Sequence, residues 1–157
     1  MDIIYHNRKR NPEAEKLFDA RYVSFDALLQ QSDVLSVHSV LSDETAGLFD
    51  RHAFRKMKSS AIFINTSRGG VHHEPDLIEA LEHGIIWGAG LDVTNPEPMQ
   101  PDNPLLAMSN VAVLPHIGSA TMEARDGMAR LAAENIITYY NTGRLLTCVN
   151  PDVLTSR

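Results

Sequence analysis

The chain has 157 residues, 43% of them hydrophobic and 22% charged, with a formal net charge of −6. These are the proportions of an ordinary soluble globular domain and exclude a disordered, collagen-like or membrane-embedded chain. The longest apolar runs, such as Ala61-Ile62-Phe63-Ile64, fall far short of the roughly 18 residues a membrane span needs, and fourteen basic against twenty acidic residues argue against a general nucleic-acid binder.

Short apolar, β-branched runs alternate with helical patterns along the chain, which predicts βαβ units and a parallel sheet. In order, the expected elements are a strand over Asp2–His6, a helix near Pro12–Asp19, a helix over Phe25–Gln31, a strand over Val34–His38 and a helix near Asp50–Met57. Then follow a strand over Ala61–Thr66, a helix over Glu74–Glu82, and strands over Ile86–Val93 and Val111–Leu114. The run at 61–66 is apolar on both faces, as a central strand covered on both sides should be. Pro75 in the first turn and Gly84 past the end frame the helix over 74–82. A turn-rich stretch from Asn95 to Pro104 is too proline-dense for a helix. A last helix, roughly Met122 to Asn141, carries Met128, Leu131, Ala132, Ile136 and Tyr139 at helical spacing and stops at Gly143.

Charge is unevenly placed. Residues 1–60 carry nine charges of each sign, whereas residues 61–157 carry five basic and eleven acidic. An anionic ligand is therefore expected near Arg8-Lys9-Arg10 rather than over the whole surface. That cluster follows the short apolar stretch at the start, the reverse of a secretory signal. Cys148 is the only cysteine, so no internal disulfide framework exists and a cytoplasmic location is expected.

Dinucleotide-binding units open with a strand, a G-x-G-x-x-G turn and a helix. None of the nine glycines makes that pattern. The first strand ends instead on His6-Asn7-Arg8-Lys9-Arg10. In a doubly wound fold, the carboxyl end of the second strand reads the ribose 2′-hydroxyl or 2′-phosphate. The sequence thus reads as such a fold entered one βα unit late.

Three segments place polar residues at the carboxyl ends of strands, where open α/β sheets bind ligands. In Ile64-Asn65-Thr66-Ser67-Arg68-Gly69-Gly70, a sharp turn aims the Arg68 guanidinium at a carboxylate; a solvated surface arginine is the alternative. In Gly90-Leu91-Asp92-Val93-Thr94-Asn95-Pro96-Glu97-Pro98, two prolines hold the backbone of Glu97. In Val113-Leu114-Pro115-His116-Ile117-Gly118-Ser119-Ala120-Thr121, a histidine ends a strand ahead of a helix capped by Ser119 or Thr121. Reduction of a 2-oxo acid needs a cation for the carboxylate and carbonyl and an acid for the oxygen that receives the hydride. Arg68, His116 and a carboxylate beside the imidazole, Glu97, match these roles.

The segments Ile64–Gly69, Gly90–Pro98 and Leu114–Thr121 resemble, in order and spacing, the signatures of the D-isomer-specific 2-hydroxyacid dehydrogenases, most closely the glyoxylate and hydroxypyruvate reductases. The resemblance runs over nearly the whole chain, including Val149-Asn150-Pro151. It implies an α/β, Rossmann-like doubly wound parallel sheet lacking its first βα unit, with a long C-terminal helix. It divides the chain into an incomplete NAD(P)-binding domain over 1–121 and, over 122–157, a helix and tail that return toward a missing substrate domain. It further implies that Arg68 grips substrate, His116 is the general acid/base and Glu97 pairs with it. Asp92 would hold the nicotinamide carboxamide, with Thr66, Ser67 and Gly118 lining that pocket. Thr45 lies in the segment His38–Thr45 that lines the adenosine side, where family members usually have a proline in place of Val40.

Asn7, Arg8 and Arg10 at the first strand's carboxyl end, with Asp2 at the wrong end to read a 2′-hydroxyl, point to NADP, NADPH being preferred over NADH. The function expected from the resemblance is reduction of glyoxylate or hydroxypyruvate by the C-terminal half of a reductase, inactive by itself and dimeric in the complete enzyme. No metal, nucleic acid or membrane is expected as a partner. The alternatives are a non-catalytic remnant acting as a binding or dimerisation module and, more remotely, a corepressor-like scaffold. Four further features receive ordinary readings: His72 and His73 with Glu74 as solvated surface, Trp87 as packing, the Met128–Tyr139 stripe as packing, and Cys148 as an inert thiol.

Overall fold

The structure, a computed structural model, describes residues 1–154; the last three residues of the segment 122–157 lie outside them. The described chain forms two compact units, Met1–His116 and a second from Ile117 onward.

In the first unit, β1 (Ile3–Tyr5), α1 (Pro12–Phe18), β2 (Ala20–Tyr22), α2 (Phe25–Gln31) and β3 (Val34–Val37) follow one another. They are succeeded by α3 (Arg51–Lys56), β4 (Ile62–Asn65), α4 (Glu74–Glu82), β5 (Gly88–Leu91) and β6 (Val111–Val113). Local chemistry starts each helix: Asn11, Ser24 and Asp50 accept from the backbone N–H groups of Ala14, Ala27 and Ala53. The turn after α4 is made by Gly84 at φ 63°.

All strand pairs are parallel, in a two-stranded sheet of β1 and β2 and a four-stranded sheet of order β3-β4-β5-β6. Against the doubly wound order 3-2-1-4-5-6, β2 and β1 take the third and second positions and β3 the fourth. Among the described residues no strand takes the first position, so β1 and β3 do not pair. β2 was not foreseen: Ala20-Arg21-Tyr22 is too short to show an alternation, and its pairing with β1 creates the strand.

The core lies between the four-stranded sheet and helices α2, α3 and α4, with Leu29, Phe54 and Leu77 against Leu35, Phe63 and Leu91. Ala61, Phe63 and Asn65 of the central run are buried, but Ile62 and Ile64 on the opposite face are only half-buried. That corrects the expectation of a strand covered on both sides, because α2–α4 all pack on one face. A file of rings ties the small sheet to this core. Tyr22 meets His6 at 5.7 Å, His6 meets Phe25 at 5.8 Å, Phe25 meets Phe49 at 5.6 Å and Phe49 meets Phe63 at 5.2 Å. Such pairs each contribute about 0.5–1.5 kcal/mol beyond burial.

Two packing expectations are corrected. Trp87 is 62% exposed while Ile86 is fully buried, since the two lie on a bend ahead of β5 that turns only Ile86 toward the core. In the second unit, α5 (Met122–Thr142) is capped by Thr121 and stopped by Gly143 at φ 71°, yet none of its residues is buried. Met128, Leu131, Ile136 and Tyr139 are all exposed, because within its own unit α5 has only the following tail to pack on. Asn135 tethers that tail, its side chain accepting from the N–H groups of Leu146 and Thr147 at 3.0 and 3.1 Å. No helix among the described residues is long and apolar enough to cross a membrane.

A third correction concerns His72 and Glu74, which are 1% and 8% exposed rather than solvated. A parallel bridge from Phe49 pulls this segment against the core. His72 Nδ1 accepts from Asn65 Nδ2 at 3.0 Å, which puts the ring proton on Nε2, where the described residues offer no hydrogen-bond partner. Burial, with a smaller contribution from His73, lowers the imidazole pKa from 6.5 to about 4. Between those values the unfolded chain binds a proton that the folded chain refuses, so stability falls as pH drops from 6.5 toward 4 and is unaffected above. His72→Val should reduce the slope of unfolding free energy against pH in that window by about one proton, measured by urea denaturation at several pH values.

Candidate active site

The registers Asn65↔Leu91 and Leu91↔Val113 bring the carboxyl ends of β4, β5 and β6 side by side. The three polar segments therefore leave the sheet along the same edge. A cavity of about 510 Å³ opens there, walled by Asp92, Thr94, Glu97, Leu106, Leu114 and His116 among others.

Glu97 and His116 meet at this wall, Nδ1 of the imidazole lying 2.7 Å from Oε1 of the carboxylate. An N–H at Nδ1 donates to Glu97, which fixes the ring's orientation and leaves Nε2 as the other site of protonation. The hydrogen bond from His116 holds the Glu97 carboxyl below its ordinary pKa against the opposing effect of desolvation, with lesser help from the charge of His116, the backbone N–H of Thr94 and the charge of Arg68. Glu97 is thus an anion at neutral pH. His116 has φ 57°, a left-handed conformation uncommon outside glycine; such strain collects where tertiary contacts over-determine a functional residue.

Arg68 stands on the neighbouring turn, exposed, its Nη1 donating to the carbonyl of Ser67 at 2.6 Å. The turn is built on Asn65, whose side chain is fully buried at the end of β4. Asn65 Oδ1 accepts from the N–H and the hydroxyl of Ser67 at 3.0 and 2.9 Å, while Nδ2 donates to the carbonyl of Arg68 at 3.0 Å and to His72. Gly69 then passes so close to the next segment that a Cβ there would sit 2.0 Å from the carbonyl oxygen of Thr94. The Arg68 turn and the Glu97 loop are packed backbone to backbone.

Asp92 is buried and follows β5, its N–H bonded to the carbonyl of Asn65 at 3.0 Å. Thr66 and Ser67 lie on the adjacent turn and, with Arg68, are not on the cavity wall. Gly118 is exposed and belongs to the second unit. Thr45 turns its hydroxyl into its own loop, donating to the carbonyl of Val40 at 2.5 Å and accepting from the N–H of Ser42 at 2.8 Å.

The basic cluster divides in two. Arg10 grips Glu15 through Nε and Nη2 at 3.0 and 2.6 Å and lies over the ring of Tyr22. Hydrogen bonds from Arg10 and Tyr5 hold the Glu15 carboxyl at about 2. Arg8 is open, its side chain 84% exposed and paired only loosely with Glu44 at 3.5 Å. Asn7 accepts from the N–H of Arg8 at 2.8 Å and so shapes the turn that presents it. Among the described residues no group of three or more His, Cys, Asp or Glu side chains is placed to hold a metal ion.

Residues 1–118 match the D-isomer specific 2-hydroxyacid dehydrogenase, NAD binding domain. The chain belongs to this family. Glyoxylate/hydroxypyruvate reductase B of Klebsiella pneumoniae is 50% identical over 153 residues, covering 98% of this chain and 47% of that protein. Its namesake from Escherichia coli is 51% identical over the same length. The chain thus spans about half the length of these curated relatives. A glyoxylate reductase from Paecilomyes thermophila superposes with a TM-score of 0.85 at 41% identity, over 97% of this chain and 46% of that one. An NAD-complexed D-isomer specific 2-hydroxyacid dehydrogenase from Lactobacillus delbrueckii superposes with a TM-score of 0.84 at 29% identity, over 95% of this chain and 48% of that one. The Rossmann-like architecture inferred from the sequence is that of these dehydrogenases.

Sequence reasoning missed Asn65 and Glu74 as organising groups. The signal for Asn65 was a lone amide in the apolar run Ile62-Phe63-Ile64. Glu74, a helix-opening acid before Pro75, looks like any first-turn carboxylate. Gly69→Ala should force the Arg68 turn and Thr94 apart and cost roughly 1–3 kcal/mol of stability, measured by urea denaturation.

Proposed function

We propose that this chain carries the acid–base and cofactor-recognition portion of a reductase that converts glyoxylate or hydroxypyruvate to the 2-hydroxy acid with NADPH. The observation that carries this is the Glu97–His116 pair at 2.7 Å on a cavity wall, with Arg68 near enough to lower the Glu97 pKa. The names of the similar reductases support the substrate class.

The residues present fit a nicotinamide cofactor at both ends. Asp92, a buried acid after β5, has acceptor oxygens for the carboxamide N–H₂, with Thr66 and Ser67 assigned to the same pocket. At the other end the open guanidinium of Arg8 suits a 2′-phosphate, and Asn7 shapes its turn. Arg10 serves as a brace through Glu15 rather than as a direct phosphate ligand, and Thr45 shapes its own loop. A bound cofactor of this kind supplies the hydride. Arg68 pairs with the substrate carboxylate and draws charge toward the carbonyl oxygen. His116, protonated and oriented by Glu97, delivers a proton from Nε2 to that oxygen and retains Nδ1–H on the carboxylate. Glu97 stays anionic throughout, which stabilises the imidazolium before the transfer and fixes the neutral tautomer after it. No G-x-G-x-x-G loop is present to cradle the pyrophosphate, and the isolated chain is proposed to be inactive, the complete enzyme being a cytoplasmic homodimer.

A second reading, a non-catalytic association module, is favoured by the exposed apolar residues Ile3 and Val34 on β1 and β3, strands that leave an edge unpaired.

Purified chain with NADPH and glyoxylate should show no NADPH consumption; turnover equal to that of a complete reductase would sink the proposed inactivity. In a complete reductase containing this portion, His116→Ala should lower kcat by about 10²–10⁴-fold with cofactor binding retained; unchanged turnover would overturn the acid–base role. Arg8→Ala should weaken NADPH roughly 10–100-fold, the worth of a charge-assisted hydrogen bond, and leave NADH unaffected. Arg10→Ala should weaken both cofactors alike, because it loosens the turn rather than removing a phosphate contact.

A further inference from the structure

We infer that Glu74 is a positioning residue for the Glu97–His116 pair, a buried carboxylate that anchors both ends of the loop bearing Glu97. Glu74 opens α4 and is 8% exposed. Its Oε1 accepts from Asn103 Nδ2 at 2.7 Å, and its Oε2 accepts from the N–H of Asn95 at 3.4 Å. Asn95 and Asn103 bracket the loop, in which Glu97 is the residue that reaches His116.

The loop needs such an anchor. Residues 95–98 are exposed, and Pro96, Pro98 and Pro101 have no N–H to contribute. Internal bonds run from the Thr94 hydroxyl to the carbonyl of Pro96 at 2.9 Å and from the N–H of Asn103 to the carbonyl of Gln100 at 3.1 Å, and the backbone N–H of Thr94 reaches the Glu97 carboxylate, so these tie the loop only to its own residues. Asn103 relays the anchor onward, its Oδ1 accepting from the N–H of Leu105 at 3.0 Å to start the single-turn 3₁₀ segment Pro104–Ala107. That turn buries Leu105 and places Leu106 on the cavity wall.

Burying a carboxylate is costly unless hydrogen bonds repay the lost water. An aliphatic side chain would fill the space beneath the loop at lower cost, but it would offer no acceptor to Asn95 or Asn103. The acid therefore does what packing alone does not: it fixes where Pro96 and Glu97 start and where the loop returns. The other charged pairs of this region serve a different purpose. Arg51 and Arg55 pair with Asp76 and Glu79 and so join α3 to α4.

The role presupposes that Glu97 and His116 form the acid–base pair, but its test requires no turnover. Carboxyl-carbon NMR titration of the 157-residue chain reads the Glu97 pKa, which the His116 hydrogen bond holds below the ordinary value. Glu74→Ala and Asn103→Ala should each raise it by about half a pH unit or more as the loop drifts from His116. Glu74→Gln, which keeps one acceptor oxygen, should raise it less. Leu81→Ala, a cavity in the same helix, controls for lost stability and should leave Glu97 where it is. An unchanged Glu97 titration in Asn103→Ala and Glu74→Gln would overturn the proposal even if Glu74→Ala fails to fold, as would an equal shift in Leu81→Ala. In a complete reductase, Glu74→Gln should lower kcat several-fold with KM for NADPH unchanged. An inactive parent enzyme would count against the functional reading and not against the anchor.

Discussion

The buried amide of Asn65 is the constraint on which the site is built. It ends a central parallel strand, and all of its polar groups are spent: the oxygen on Ser67, the nitrogen on the Arg68 carbonyl and on His72. A buried polar group left unpaired costs about 1–3 kcal/mol, so a satisfied one tolerates only the backbone path that satisfies it. That path turns Arg68 out of the sheet edge and brings Gly69 against the carbonyl of Thr94. Because Thr94 leads into the Glu97 loop, the cation and the carboxylate are set relative to each other by backbone contact.

The electrostatics follow from that placement. Glu97 and His116 are both partly exposed, 43% and 39%, and an isolated pair so solvated is worth little to stability. Its value is directional, since the hydrogen bond assigns one ring nitrogen to the carboxylate and leaves Nε2 as the other site of protonation. The same division appears in the basic cluster. Arg10 is held by Glu15 and Tyr22 as a structural brace, and Arg8 is left to the solvent side. One arginine shapes the turn and the other faces outward from it.

Much of the fold and of the site was legible in the sequence. Arg68, Glu97 and His116 each follow a strand, and parallel strands put their carboxyl ends on one edge, so spacing alone foretold that the three segments would converge. The helix over 74–82 and the long helix from Met122 were readable from periodicity, Pro75 and Gly143, which are local signals. The strand Ala20–Tyr22 was not readable, since three residues carry no period and only the pairing with β1 defines them. His72 looked like a polar loop residue because it stands beside His73 and Glu74; the bridge to Phe49, 23 positions away, buries it. Trp87 and the stripe on α5 looked like core residues, but hydrophobicity identifies a surface that favours burial without showing what covers it.

By itself the sequence determined the residue types, their order along the chain and the strand ends that carry them, because turns, caps and side-chain period depend on neighbours only a few positions apart. The tertiary structure decided which polar groups are buried and which are left to act. Asn65 and Glu74 became the supports of the site through partners brought to them by folding, Glu74 reaching Asn103 across 29 positions. Burial and hydrogen-bond satisfaction are properties of the packed assembly, and no window of sequence contains both partners of such a contact.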